Sequence, residues 1–224
     1  MRTIHYHNTR LTMASLLAIV LGAYLYSGNA QAGDFTRDID RVFGNTHIEQ
    51  DQSVGNIDSV NGGIRLSNGA SARSLATVNG TIVLKDNVTI ASGETVNGAI
   101  RAGENLQVRN SLKTVNGSIR INEGSTIGKD LRTVNGSIVL RQTTVGEDII
   151  TTNGNIVLRD GTVIEGDIIV RDSRRWWNGL FGGHSKPEIT IDGNSVVLGT
   201  IHLHREVRLN IDDDADIGEI IEHY

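Results

Sequence analysis

The sequence predicts an all-β protein built as a single parallel β-helix (a β-solenoid) of about nine rungs of 18–19 residues each. A Val-Asn-Gly corner recurs at a nearly constant interval, and an alternating pair of apolar residues follows each corner. The composition agrees, because aromatic residues make up only 4% of the chain, whereas glycine numbers 26 and proline occurs once. Few aromatics, many β-branched residues and frequent glycine are typical of short strands joined by tight corners.

The corner is the strongest element of this prediction. Successive corner asparagines are 18, 18, 19, 19 and 18 residues apart, and they are Asn61, Asn79, Asn97, Asn116, Asn135 and Asn153. Asn-Gly also forms ordinary hairpin turns, but a hairpin does not require a fixed rung length. Stacked rungs would bring the asparagines into one hydrogen-bonded column. The glycine predicts a positive φ at the corner.

The strands follow from the residues after each corner. An isoleucine lies two positions after each glycine, and most rungs carry a second apolar residue two positions later. The pairs are Ile64/Leu66, Ile82/Leu84, Ile100/Ala102, Ile119/Ile121, Ile138/Leu140 and Ile156/Leu158. This alternation indicates a short strand with one buried face, which pairs with equivalent strands about 4.8 Å above and below. Ile119 is thus expected to point inward and Arg120 outward.

The ends carry weaker copies of the repeat. Val42-Phe43-Gly44 lies 18 residues before the first corner, and Phe43 is expected to cover the open end of the core. Beyond the last corner, the segment from Ile156 is echoed by the segment from Ile189. Parallel crossovers favour a right-handed coil. Left-handed hexapeptide helices also have about eighteen residues per turn, but their strict six-residue pattern is missing here.

Residues 1–32 are predicted to be a signal peptide, followed by the solenoid domain at 33–224 with a loop insertion at about 173–187. The run Leu11–Tyr26 is apolar and follows a basic start, and Ala30-Gln31-Ala32 matches an A-x-A cleavage site. An uncleaved anchor is the alternative. The protein is therefore expected in the periplasm or outside the cell. Because cysteine is absent, stability must come from the core and the backbone ladders.

The insertion supplies the candidate binding residues. It contains both tryptophans and the single proline of the chain, and insertions in solenoids often form binding loops. Trp176, Trp177 and Phe181, with Arg174 and Arg175 beside them, are candidates for contact with a sugar, a lipid surface or another protein. The alternative interpretation is that these aromatics fold back and cover the side of the stack.

Other patterns predict less chemistry. The acidic run 212–216 resembles the start of a calcium loop, but Ile217 stands where the loop needs glycine, which favours a solvated acidic turn. His202 and His204 are interpreted as an outward polar pair, and no metal site or cofactor is predicted. The net charge of −5 argues against nucleic acid as a partner.

Basic residues recur on one side of the predicted strands. Arg65, Arg101 and Arg120 occupy the outward position between paired apolar residues, and Lys85, Arg141 and Arg159 follow the second apolar residue of their rungs. They could form a stripe that holds an anionic polymer, or an ordinary solvated face whose charges are balanced by Asp86, Glu104 and Asp160. The sequence lacks a recognisable arrangement of nucleophile and base, so the protein is predicted not to be an enzyme, although some β-helix enzymes act on polysaccharides.

The iterated segments TVNGSIRI and TVNGSIVL resemble the adhesin-like β-strand-repeat family of exported bacterial proteins, over roughly residues 55–170. The segment Gly161–Ile168 is also similar to one rung of the bactofilins, which are polymer-forming solenoids. The adhesin-like family is largely of unknown function, and the chain is expected to be a structural or adhesive protein of the cell envelope that acts through its elongated surface. Expected partners are envelope polysaccharide, a lipid surface or another envelope protein, and end-to-end self-association is a further expectation. A carbohydrate- or lipid-binding module that uses the Trp176/Trp177 loop is the alternative.

Overall fold

The computed structural model describes residues 37–172 and 186–224, and these residues form a parallel β-solenoid of about ten turns. The predicted fold class is confirmed, and the predicted number of about nine rungs is close. No helix long and apolar enough to cross a membrane occurs within the described ranges. The strand pairings are the same for either hand of the coil, so the right-handed coil stays a prediction.

Each full turn passes through three faces. Face 1 is a separate sheet of nine parallel strands, in the order β2 (Thr46–Ile48), β4 (Ile64–Leu66), β6 (Ile82–Leu84), β8 (Ile100–Ala102), β11 (Ile119–Ile121), β14 (Ile138–Arg141), β17 (Ile156–Arg159), β20 (Glu188–Ile191) and β23 (Arg208–Ile211). The corner asparagines lie immediately before face 1 in each rung. Each strand is short because a corner begins within a few residues of its end.

Faces 2 and 3 belong to a second sheet, which divides after its first rungs. Three strands run through both faces: β3 (Ser53–Asn61), β5 (Ser71–Asn79) and β7 (Thr89–Thr95). Later face 2 strands are β9 (Gln107–Val108), β12 (Ser125–Ile127), β15 (Thr143–Val145), β18 (Val163–Ile164), β21 (Val196–Val197) and β24 (Asp216–Ile217). Face 3 has β1 (Ile39–Phe43), β10 (Leu112–Asn116), β13 (Leu131–Asn135), β16 (Ile149–Thr151), β19 (Ile168–Val170), β22 (Ile201–Leu203) and β25 (Ile220–Glu222).

The core consists of columns of aliphatic side chains that run along the solenoid axis. Ile119 is fully buried and lies in register between Ile100 and Ile138 on the neighbouring strands. Arg120, the next residue, is exposed. The inward and outward register predicted from the alternation is therefore confirmed.

The insertion does not interrupt the stacking of the rungs around it. Ile156 pairs with Ile189, and Ile168 pairs with Ile201, so the rungs before and after the insertion are direct neighbours. Glu188 N also donates a hydrogen bond to Asn155 Oδ1 at 3.0 Å, across the same junction. The predicted echo between these segments is confirmed.

The expectation for Phe43 is half right. Phe43 lies opposite Asn61, in the column of corner residues, as the spacing predicts. Its side chain is 76% exposed, however, so the prediction that it covers the open end of the core is wrong. The reason is geometric, because side chains of this column point away from the core on the outer side of the corner.

Candidate functional site

The aromatic candidates lie outside the described residues. Trp176, Trp177, Phe181, Arg174 and Arg175 all belong to the insertion, and their proposed contacts stay predictions. The described residues nearest to the insertion are Asp172 and Lys186. The remaining candidate features lie on the solenoid itself.

The corner asparagines form a continuous hydrogen-bonded ladder. In each step, the Nδ2 atom of one asparagine donates to the Oδ1 atom of the asparagine in the preceding rung. The five bonds measure 2.8–2.9 Å and join Asn61, Asn79, Asn97, Asn116, Asn135 and Asn153. All bonds run in the same direction, so the last asparagine keeps an oxygen that can accept. The predicted asparagine column is confirmed.

Arg205 ends this ladder. Its Nη1 atom donates to Asn153 Oδ1 at 2.6 Å and to the carbonyl oxygen of Thr152 at 3.2 Å. The side chain is only 8% exposed, and it reaches back past the rung that ends at Asp172. No sequence pattern indicates this contact, because the two residues are 52 positions apart.

The glycine of the corner is required for a reason different from the one predicted. Among these glycines only Gly136 has a φ in the positive range, at +149°, so the general prediction of a positive φ is wrong. The rungs instead approach closely at this point: a Cβ atom on Gly117 would lie 1.8 Å from the carbonyl oxygen of Gly98. The same approach recurs from rung to rung, and only glycine leaves room for it.

Buried threonines support four of these close approaches. The Oγ1 atoms of four threonines donate to a glycine carbonyl oxygen of the preceding rung at 2.9–3.1 Å, and the pairs are Thr77/Gly62, Thr95/Gly80, Thr114/Gly98 and Thr133/Gly117. The Thr-Val-Asn-Gly motif thus satisfies polar groups on both sides of the corner, because Thr bonds inside and Asn bonds outside. The motif is a structural device of the stack.

Apart from Gly44 and Gly136, the residues with positive φ in the described ranges form a column at the corner between faces 1 and 2. They are Asp51, Gly69, Asn87, Asn105, Gly124, Gln142 and the pair Asp160 and Gly161. Asparagine, aspartate and glycine tolerate this conformation best. The local signal was present in the sequence, but several residue types fill the column, so no single motif marks it.

Three histidines meet at the C-terminal end of face 3. His202 and His204 lie outward on adjacent alternate positions, as predicted, and the chain terminus adds His223. His202 Nδ1 and His223 Nε2 are 3.1 Å apart, and the rings of His204 and His223 stack with centroids 4.3 Å apart. His202 also lies 3.7 Å from Asp167 Oδ2. Within the described ranges, no group of three or more potential ligands is arranged to hold a metal ion.

This cluster makes the terminal rungs sensitive to pH. Burial lowers the pKa of His204, and the neighbouring His223, His202 and Arg171 lower it further, while Asp172 opposes them. The unfolded chain therefore takes up this proton at a higher pH than the folded chain does. This difference does not change the free energy of unfolding above the ordinary histidine pKa of about 6.5. As the pH falls through that value, it lowers the free energy of unfolding.

We expect the His204→Gln variant to lose less thermal stability than the parent protein between pH 7.5 and pH 5.5. The reason is that the variant no longer carries the group that resists protonation in the folded state. Thermal melting at both pH values measures the difference. The matched control is His47→Gln, since His47 lies at the other end beside Glu49. An equal decline in the parent protein and the His204 variant would contradict the expectation.

Carboxylates cluster at both ends of the solenoid. Asp40 and Asp58 are neighbours in register on face 3, and burial together with the charges of Asp40 and Asp38 raises the pKa of Asp58. At the other end, the residues of the acidic run around Asp212 are mostly exposed and form a turn in which Asp214 N donates to Asp212 Oδ1. This geometry agrees with the predicted acidic turn.

Face 1 carries the most regular array of charges. Each of six successive rungs presents one exposed cation on this face, and we call this set the cationic row: Arg65, Lys85, Arg101, Arg120, Arg141 and Arg159. Neighbouring rungs are about 4.8 Å apart, so the row extends over roughly 24 Å. The strands of face 1 from β4 to β17 contain no carboxylate at all.

Most of the cationic row lacks an acidic partner. Arg141 Nε donates to Asp160 Oδ2 at 2.8 Å. The other five cations make no ion pair with any residue that the structure describes. Cations on the other faces are commonly paired, as Lys113 is with Glu94 at 2.9 Å and Lys129 is with Glu147 at 3.8 Å.

The surface between these cations is partly apolar. Val83, Val139 and Val157 occupy the outward central position in the rungs whose cation lies at the strand end, and all three are half-buried. Around Ala102 and Gly103, where side chains are small, the face forms an open depression lined by Lys85 and Arg101 and, at the corner, by Asp86. Over six rungs, face 1 therefore presents cations next to a shallow apolar surface.

The comparisons with known proteins give no match. No family model matches the chain. Neither a curated protein nor a solved structure is significantly similar to it.

Proposed function

We propose that the protein is an exported, non-enzymatic structural or adhesive component of the cell envelope that acts through the side of its solenoid. The observation that carries the proposal is the regularity of face 1. Its outward side chains lie in rows with a rung-to-rung repeat over β4 to β17. Such a surface suits contact with a repetitive or extended partner, because every rung offers the same backbone geometry.

Export forms part of the proposal and depends on residues 1–32. Membership of the adhesin-like β-strand-repeat family is also part of it, because the repeated TVNG segments support that resemblance. End-to-end self-association is included because β2 and β23, the outermost described strands of face 1, each pair on one side only. Envelope polysaccharide, a lipid surface or another envelope protein are the proposed partners, in the periplasm or outside the cell.

The test begins with the protein isolated from its own cells. N-terminal sequencing of the mature protein is expected to start at Gly33, and fractionation is expected to recover it from the periplasm, the envelope or the medium. The physical reason is the A-x-A site at Ala30-Gln31-Ala32, which follows the apolar run. Retention of Met1 in an integral inner-membrane protein would overturn the proposal.

The same fractionation distinguishes the alternative function, a carbohydrate- or lipid-binding module that uses the insertion. A variant with Trp176 and Trp177 both replaced by Ala is compared with the parent protein for retention on isolated envelope. Unchanged retention supports action through the solenoid surface. Loss of retention with unchanged melting would favour the insertion as the binding element.

A further inference from the structure

We infer that face 1 binds a linear anionic polysaccharide, whose acidic groups lie against the cationic row. The inference deepens the proposed function by naming the class of partner, and it rests on that proposal for the setting in which the polymer is met. The ligand is defined by its chemistry: a chain of sugars with carboxylate groups at regular intervals. Three features of face 1 favour such a ligand: its charge, the spacing of its cations and the apolar surface between them.

Charge gives the first reason. The whole chain has a net charge of −5, with 26 acidic and 21 basic residues apart from histidine. Six of those basic residues nevertheless follow one another along face 1 from β4 to β17, and these strands carry no carboxylate. Arg65, Arg101 and Arg120 point outward from the centres of their strands without an acidic partner in the described residues. Guanidinium groups bind carboxylates with two parallel hydrogen bonds, so these side chains are suited to such a ligand.

Spacing gives the second reason. One cation per rung produces a row with a repeat of about 4.8 Å along the axis. A linear polymer with a regular repeat can contact several of these cations at once, and each further contact then forms at high effective concentration. The strands fix the height of every rung, so little backbone ordering is needed when the polymer binds.

The apolar surface between the cations gives the third reason, and it favours a polysaccharide over a nucleic acid as the ligand. Val83, Val139 and Val157 offer small apolar surfaces that fit the C–H faces of sugar rings. Proteins that bind single-stranded nucleic acid generally stack its bases on aromatic side chains, and the strands of face 1 from β4 to β17 contain none. The open depression beside Ala102 further provides room for a ring without a deep pocket.

The experiment measures binding of the purified protein to polygalacturonate, with uncharged dextran and an oligothymidylate as comparison probes. The test variant carries Arg65→Ser, Arg101→Ser and Arg120→Ser. The control variant carries Arg109→Ser, Lys113→Ser and Lys129→Ser, which removes the same charge from exposed positions outside face 1. Melting curves of both variants check that the fold is kept.

We expect polygalacturonate to bind the parent protein with an affinity that falls as salt rises, because binding releases counterions. The face 1 variant is expected to bind roughly tenfold or more weakly and to show a shallower salt dependence, by about one ion contact per arginine removed. The control variant is expected to stay within about twofold of the parent protein, as distant surface charges are largely screened at physiological salt.

Three results would overturn the inference. They are no binding of polygalacturonate by the parent protein, an equal loss in the two variants, and tighter binding of the oligothymidylate than of polygalacturonate. None of these results concerns export or envelope retention, so the proposed function would stand if only this inference failed. Conversely, a protein that binds polygalacturonate through face 1 but keeps Met1 in the inner membrane would refute the proposed function alone.

Discussion

Replacing Ile119 with Asp is expected to unfold the solenoid or to destabilise it by about 5 kcal/mol or more. The substitution removes a fully buried aliphatic side chain, and the loss of such a group alone costs about 2–5 kcal/mol. It also places a carboxylate in a dry column between Ile100 and Ile138, where no partner can compensate the charge. A typical domain has only about 5–15 kcal/mol of stability to lose.

The adjacent residue provides the control. Arg120→Ser changes an exposed side chain one position away and is expected to alter stability by less than about 0.5 kcal/mol. Ile119→Val keeps the measurement possible if the aspartate variant does not fold, with an expected cost of about 0.5–1.5 kcal/mol. Chemical denaturation followed by circular dichroism measures all three. Equal shifts for Ile119→Asp and Arg120→Ser would show that the register is wrong.

The fold was predictable because it is a repeat. The interval between corner asparagines fixes the length of a rung, and the Ile119/Ile121 alternation fixes which face of each strand is buried. Both signals are local and recur, so chance departures in one rung, such as Ala102 in a leucine column, do not obscure them. The ends are less regular, and the orientation of Phe43 there was predicted wrongly because its column lies outside the core.

The contacts between rungs were harder to predict. The requirement for Gly117 comes from the carbonyl oxygen of Gly98, which is distant in sequence and close only after stacking. The role of Thr114 also depends on stacking, because its hydroxyl donates a hydrogen bond to the preceding rung. Arg205 reaches Asn153 across the insertion. A sequence motif shows that such residues recur, but their contact partners can be identified only once the rungs are stacked in register.

The candidate site was likewise predictable from the sequence only in part. The sequence identified Arg65, Arg101 and Arg120 as outward residues, which the structure confirms. It also offered balancing carboxylates as an alternative, and only the geometry shows which cations lack a partner among the described residues. The sequence also placed Lys85, Arg141 and Arg159 directly after the second apolar residue of their rungs, so all six members of the cationic row were predicted to line one face, and all six are exposed in the structure.

The close approach of the rungs leads to the second large expected effect, at Gly117. In the Gly117→Ala variant, the added Cβ would lie 1.8 Å from the carbonyl oxygen of Gly98 and 2.5 Å from its carbonyl carbon. Both are backbone atoms held by the strands on either side, so relief requires the two rungs to separate. Separation would lengthen the bonds of the asparagine ladder and of Thr114 to Gly98 O. We expect a loss of about 3 kcal/mol or more, at or above the upper end for overpacked sites.

Gly161→Ala is the matched control, because it separates contact from conformation. Gly161 has a φ of +79°, but the nearest atom to an added Cβ, the oxygen of Asn194, would be 3.8 Å away. Its expected cost is only that of a left-handed alanine, about 1–2 kcal/mol. Denaturant midpoints and slopes of the two variants give the comparison. Equal losses of stability in Gly161→Ala and Gly117→Ala would show that backbone conformation is the dominant requirement at these corners. In that case, the close stacking of carbonyl groups at the Asn-Gly corner would not be what fixes the separation of the rungs.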